Sequence, residues 1–430
     1  MADNTTLTDN EQVKLDIINA VLIKKIKTGQ AARILGITSR QVQRLKKEVK
    51  REGTRAVVHK LKGKISNNHI DPSVKEKVLQ KIRTRYYDFK PGFATEKLKE
   101  EYDDRNQLII PTSQTVRMWM NESGLWKTHK QKKAEYRSWR PRKEYYGELE
   151  QFDGSYHYWF ENRYKDKSSG LIEVCLLLSV DDATGKITHA EFADNEGVVA
   201  VFTFWKSYVT INGKPIAVYL DRYSTYKINH KSAVDNYDLM TQFERAMKDI
   251  AIHLITAHSA QAKGRIERLF GTLQDRLVKE MRLAGINTPM EGNQFLKEIF
   301  IPKFNNQFSV VPAQTGDTHR SLTSDDKKNF NRTFSIQSKR KVNNDFTIQF
   351  KNNWYQLKEV QPTTVRPRET VLIEEWLDGT IHITLKGFEL VSMLLPERPK
   401  KIKANPVILT THELNWEPPA DHPWRRYGNR

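Results

Sequence analysis

The chain has 430 residues, more than the roughly 100 to 200 of a usual single domain, so several domains are expected. Lys and Arg number 71 against 52 Asp and Glu, a formal charge of +19 that asks for a polyanionic partner. Nucleic acid fits; an anionic membrane would need a basic amphipathic helix or a lipidation signal, and the polar opening MADNTTLTDN has neither.

The longest apolar run, Val174 to Val180, is far short of the roughly 20 residues that span a bilayer, and no signal peptide is read. A soluble, cytoplasmic, nucleoid-associated bacterial protein is the expectation, with no membrane partner. The only cysteine, Cys175, sits inside that run and reads as a small buried hydrophobe. One cysteine excludes an intrachain disulfide and the usual zinc modules of two or four cysteines.

Residues 1–55 read as a helix-turn-helix domain. Val13, Ile17, Ile18, Val21 and Leu22 recur at helical spacing; Gln30 to Leu35 then leads to Gly36 at a turn, and Thr38 or Ser39 caps a further helix. Arg40, Gln41 and Arg44 stand where base edges would be read, and Lys46, Lys47 and Lys50 where phosphates would be met. A plain helical hairpin with a solvated basic face is the alternative. Residues 65–126 repeat the logic as a second helical DNA-binding domain, with Thr112 or Ser113 capping a helix that carries Arg117.

The linker 127–145 is basic. From Lys127 to Lys143 there are eight Lys or Arg, among them Lys130, Lys132 and Lys133, against one acid, Glu135. Trp126, Tyr136 and Trp139 lie in or beside the run, so it suits a DNA-tracking segment.

From 146 to 310 the pattern changes to alternating strands and helices. Strands are expected at Glu148–Trp159, Leu171–Val180, Lys186–Phe192, Ile216–Leu220 and Ala251–Ile255. Helices are expected near Gly197–Val209 and Leu239–Ile250 and over Ser259–Arg282. Three strands in a meander followed by alternation is the order of a ribonuclease-H-like α/β domain. Over 332–395 a period-two pattern, with turns at Asn352-Asn353 and Asp378-Gly379, predicts a small β-barrel; 396–430 reads as an extended basic tail.

Two-metal phosphodiester chemistry needs carboxylates converging from rigid elements. Asp153 lies in the first strand, Asp221 directly follows the strand Ile216–Leu220, and Glu267 sits in the closing helix at the edge of the apolar stripe Ile266, Leu269, Phe270, Leu273, Leu277. Gly264 and Gly271 lie on the Glu267 side, and together they would cost that helix roughly 2 kcal/mol relative to Ala. Close approach of the sheet, or of DNA and metal, would justify that cost. Asp182, the nearest competing acid, reads as part of a hairpin turn.

On Leu149–Gly154, Val218–Tyr223 and above all Gln261–Gln274, the sequence resembles the DDE transposases with a retroviral-integrase-like core, nearest to insertion-sequence transposases of the ISNCY type. The resemblance implies a metal-dependent polynucleotidyl transferase. Asp153, Asp221 and Glu267 would bind two divalent ions, Mg2+ or Mn2+, with Gln261, Lys263 and Arg268 near the DNA. Its implied partners are double-stranded element ends and target DNA, held by a homo-oligomer.

Two departures stand out. Arg222-Tyr223 replaces the common Asn-Gly after the second Asp, and the polar stretch Lys227–Tyr237 reads as an inserted loop. A regulator that has lost catalysis and a nuclease that cuts without joining are the alternatives.

Overall fold

The computed structural model describes residues 7–59, 62, 69–103, 109–128, 141–166, 170–221, 236–257, 264–397, 417 and 419–422, with 103, 166, 221, 236–241, 256 and 257 by backbone alone. Of the tail 396–430 and the linker 127–145 only short pieces are therefore described. Two compact units divide at Ala134 and Glu135.

In the first unit, helices α1 (Asp9–Leu22), α2 (Thr28–Leu35) and α3 (Ser39–Glu52) bury Leu15, Ile18, Val21, Ala31, Ala32, Val42 and Val49 in one apolar cluster. Gly36 ends α2 in the left-handed conformation at φ 64°, which a Cβ would strain. Two residues on, Thr38 caps α3: its hydroxyl accepts from the Gln41 N–H while the Gln41 side chain accepts from the Thr38 N–H. Helices α4 (Pro72–Arg85), α5 (Pro91–Asp103) and α6 (Ser113–Glu122) follow, with Thr112 as the cap of α6. Val78, Leu79 and Ile82 of α4, Phe93, Ala94 and Leu98 of α5, and Val116, Trp119 and Met120 of α6 are buried.

The second unit is built on strands β1 (Leu149–His157), β4 (Val174–Asp181), β5 (Ile187–Ala193), β6 (Ala217–Asp221) and β7 (His253–Ala257), with the short ribbon β2 (Lys165–Asp166) and β3 (Gly170–Leu171) beside them. The main sheet has the order β5-β4-β1-β6-β7. The first three strands form an antiparallel meander, and β6 and β7 add on parallel to β1. This is the strand order expected of a ribonuclease-H-like domain.

Helix α7 (Val198–Asn212) and α8 (Asn236–Asp249) cover one face, where Phe152, Leu177, Val218 and Leu220 meet Phe202, Phe204, Trp205 and Phe243. Helix α9 (Gly264–Leu283) covers the other, where Leu176, Leu178 and Val180 meet Ile266, Phe270, Leu273 and Leu277. Helices α10 (Pro289–Phe295) and α11 (Ile301–Phe308), joined by a π-helical turn, extend that second cluster through Phe295, Phe300 and Phe304.

After α12 (Ser324–Lys328) and α13 (Phe330–Thr333), the expected barrel takes another form. Strands β8 (Ile336–Lys341), β11 (Thr370–Glu375), β12 (Ile381–Leu385) and β13 (Phe388–Glu389) make one antiparallel sheet; β9 (Thr347–Phe350), β10 (Asn353–Leu357) and β14 (Ser392–Leu395) make another. Among the described residues no closed barrel forms: the two sheets share an apolar core, including Ile348, Leu357, Ile373 and Ile383, but stay separate ladders. Period-two alternation fixes which side chains face inward; closure depends on edge pairing, which alternation does not encode.

The turn at 378–379 lies as expected, with Gly379 at φ 81°. The other is shifted by one residue. Lys351 takes φ 52° and Asn353 already pairs with Phe350, because Asn353 is needed in the ladder. Phe334 buries in the α7/α8 cluster, and Arg245 of α8 donates to the carbonyls of Thr333 and Ser335, tying this region to the core.

Candidate active site

Strand β1 has two neighbours of opposite sense, and together they place Asp153. Its cross-strand partner on β4 is Leu178, which packs with α9, so Asp153 lies on the α9 face while Phe152 stacks against Phe204 at 4.9 Å on the reverse face. Toward β6, Gln151 pairs with Tyr219 in parallel register. This is the last pair of that ladder; continued two residues further, its register would set positions 153 and 221 level. Val218 and Leu220 face α7 and α8, so by alternation position 221 falls on the α9 face. Of Asp221 only the backbone is described; it pairs with Ala257 of β7.

Helix α9 is anchored at two points. Arg265 forms an ion pair with Asp182, which also accepts from Nε2 of Gln151 at 2.6 Å; Gln274 donates to Ser155 Oγ at 3.4 Å. Nine helical residues rise about 13.5 Å, and the four strand residues from 151 to 155 about 13 Å. The helix therefore runs alongside β1, and Glu267 to Gly271 pass the level of Asp153. Asp153 is half-buried, whereas Glu267 and Arg268 are exposed. Nε of Arg268 donates to the carbonyl of Gly264 at 2.6 Å.

The glycines are not there to admit the sheet. A Cβ at Gly264 or Gly271 would meet nothing within 4 Å, and Gly264 is the first residue of α9, so a helix-interior cost falls on Gly271 alone.

Asp182 is held as a structural residue. It is fully buried, its Oδ1 accepting from Gln151 and Arg265 and its Oδ2 from the Lys143 N–H at 2.9 Å. The neighbouring Asp181 accepts from the N–H groups of Gly147 and Thr184. Burial raises the pKa of the Asp181 carboxyl against these bonds, and burial reinforced by the Asp181 charge pushes Glu150 well above its ordinary 4.5. Arg142 donates to the carbonyls of Asp182 and Ala183, and Lys143 pairs with Glu148 at 2.9 Å. The last two cations of the basic linker thus fasten it to the core.

One contact had gone unread in the sequence. Gly154, directly after Asp153, lies against Glu196: a Cβ there would stand 2.9 Å from the Glu196 carboxylate and 3.3 Å from Cys175 Sγ. A glycine inside a strand is the signal for such an approach. Burial pushes the Cys175 thiol up, and the charges of Glu196 and Asp153 push it further.

In the first unit, Arg40, Gln41, Arg44 and Lys47 are exposed on α3, and Lys46 is half-buried. Arg40, Arg44 and Lys47 share one helical face. Oε1 of Gln41 is engaged in the cap and Arg44 pairs with Glu48 at 3.3 Å. Arg117 is exposed on α6, with its guanidinium 5.6 Å from the centre of the Trp126 ring. Lys130, Lys132, Lys133, Gln261, Lys263 and most of the inserted loop lie outside the described residues.

The donors suit a hard cation: Asp153 and Asp221 belong to adjacent strands, and all candidate donors are oxygens. Among the described residues no group of three potential ligands stands together; the Asp221 side chain is not one of them. No helix among the described residues is long and apolar enough to cross a membrane.

The sheet order and its flanking helices define a ribonuclease-H-like α/β domain. No family model matches the chain. Over 384 residues it is 34% identical to a protein of Sinorhizobium fredii named "Putative transposase y4bF", covering 89% of this chain and 80% of that one. It is 27% identical to the transposase for insertion sequence IS1202 of Streptococcus pneumoniae, covering 97% and 93% of the two. The chain belongs to the transposases. Among solved structures, the integrase catalytic core domain of HTLV-2 in complex with magnesium superposes at a TM-score of 0.26 and 17% identity, over 36% of this chain and 89% of that one. The Mos1 transposase paired-end complex gives 0.22 and 12%, over 70% and 96%. Superpositions that loose define neither fold nor site.

Proposed function

We propose that the chain is a DDE-type DNA transposase, a metal-dependent polynucleotidyl transferase that binds the ends of an insertion sequence, cleaves there and joins the ends to target DNA. The parallel register of β1 and β6 carries this reading: continued two residues beyond Gln151–Tyr219, it would set positions 153 and 221 level on the face that α9 covers. Asp153, Asp221 and Glu267 would hold two divalent cations, Mg2+ or Mn2+. When bound, these supply an activated water and stabilise the leaving 3′ oxygen. The residues' own part is preorganisation: carboxylates carried on two strands and a helix need little rearrangement to line a phosphodiester. The freed 3′-OH would then displace a 3′ oxygen in the target, with no covalent link to the protein.

Duplex DNA would be met by Arg40, Arg44 and Lys47 on α3 and by Arg117 on α6. Lys130, Lys132 and Lys133 would follow the backbone, and Gln261, Lys263 and Arg268 would approach the reacting strand. Gln41 has only its amide NH2 left to offer a base. Two ends must be processed together, so a homo-oligomer on DNA is the expected working form.

A strand-transfer assay on linear element ends tests the reading. Asp153→Asn should bind ends and neither cut nor join; joined product from that variant in Mg2+ overturns the assignment. From the unaltered chain, nicks alone would mean a nuclease, and a shifted band without cutting a regulator. Replacing Lys47 and Lys50, the exposed α3 cations expected at phosphates, by Ala should lower the slope of log affinity against log salt by about 1.8, near 0.9 for each lost phosphate contact. An unchanged slope would remove α3 from the DNA interface.

A further inference from the structure

Helix α3 presents two flanks of different character. Its buried direction is set by Val42 and Val49, which pack in the cluster shared with α1 and α2. At about 100° per residue, Gln43 and Gln41 then lie on opposite sides of that direction. The Gln43 flank carries Arg40 three residues before it, Lys47 four after it and Lys50 seven after it, all exposed. The Gln41 flank carries Leu45 and Glu48, and Glu48 draws Arg44 into an ion pair at 3.3 Å. A polyanionic duplex is attracted to the first flank and repelled by the acid on the second.

The two amides also differ in what they can still offer. Oε1 of Gln41 accepts from the Thr38 N–H at 2.9 Å and from the Thr38 hydroxyl at 3.1 Å, so it is committed to the cap. Gln43 is exposed, and among the described residues no hydrogen bond engages its side chain. In the major groove adenine offers an N6–H donor beside the N7 acceptor, and one amide meets both only with its oxygen and its NH2 free.

We propose that Gln43 is a specificity-determining residue of α3 and recognises an adenine in the major groove, Nε2 donating to N7 while Oε1 accepts from N6–H. This rests on the reading of α3 as a DNA-facing helix. Arg40, Lys47 and Lys50 hold that flank against the duplex, and Gln41, placed by sequence alone among the base readers, serves as part of the cap.

The test is selection of binding sites from random duplexes by the full chain and by its Gln43→Ala, Gln41→Ala and Arg40→Ala variants, with thermal melting of each. Gln43 is exposed and Ala favours helix, so Gln43→Ala should melt as the unaltered chain does. It should lose a preference for adenine at one base pair and bind the selected site about tenfold more weakly, as a lost bidentate contact implies. Gln41→Ala should melt lower and keep that preference. Placing 7-deazaadenine, which lacks the N7 acceptor, at that position should weaken the unaltered chain and leave Gln43→Ala unaffected. If no adenine preference depends on Gln43, the proposal is overturned; equal weakening of the two proteins by 7-deazaadenine overturns it too. A site chosen identically by the unaltered chain, Gln43→Ala and Arg40→Ala sinks the reading of α3 beneath it, whereas a site altered by Arg40→Ala and not by Gln43→Ala fails the present proposal only.

Discussion

The start and the middle of β1 carry acids under different conditions. At the Glu150–Gln151 end, Asp181 and Asp182 are buried, and their oxygens accept from backbone N–H groups, Gln151 and Arg265. In the middle of the strand, Asp153 is half-buried, and α9 passes with Glu267 exposed. Fully buried acids that accept several internal hydrogen bonds hold a turn together; acids nearer the surface on rigid elements can reach a ligand.

The largest effect should separate these two stretches of β1. Asp153→Asn is expected to lower strand transfer at least a thousandfold, about 4 kcal/mol in transition-state terms, while shifting unfolding stability by less than about 1 kcal/mol. Asp182→Ala should do the reverse. It strands Arg265, the Gln151 amide and the Lys143 N–H, and denaturant unfolding should show a loss of about 3 kcal/mol. Equal stability losses in the two variants would erase the distinction.

How much of this was legible beforehand follows from what sequence periodicity encodes. The apolar run around Leu176 and the stripe Ile266, Phe270, Leu273, Leu277 place β4 and α9, because burial on a face repeats at the period of the element. Strand β1 was equally readable, since Phe152 alternates with Asp153. The closure of the C-terminal sheets was not, because Ile348 and Ile383 face inward in a barrel and in two open sheets alike. Nor was the occupancy of Asp182, whose partners Arg265 and Lys143 come from 83 and 39 residues away. Gly154 did carry a local signal, a glycine inside a strand, but the residue it admits, Glu196, is set by tertiary packing alone.

The buried end of β1 should also be visible in the pH dependence of stability. Burial, then the charge of Asp181, raise the pKa of Glu150 in the folded state above its ordinary 4.5. The folded chain thus keeps a proton that the unfolded chain releases, and stability falls as pH rises from about 4.5 toward the raised folded value. Glu150→Gln removes that proton difference. Unfolding free energy measured across this window should slope less steeply in the variant than in the unaltered chain; the same slope in both would mean that Glu150 ionises normally.

The smallest effect concerns Gly271 and the open side of α9. A Cβ there meets nothing within 4 Å, so Gly271→Ala should stabilise the helix by up to about 1 kcal/mol. A more stable helix that works equally well would leave the glycine unexplained. A more stable helix in which strand transfer falls about tenfold would show that the space beside Glu267 is used by what docks there, since a methyl group costs little to a helix and more to a close-fitting backbone. Gly271 is exposed and one turn beyond Glu267, so DNA approaching that carboxylate would meet the added methyl before the protein does. Measuring stability and joining on the same variant therefore separates a glycine kept for folding from one kept for the substrate.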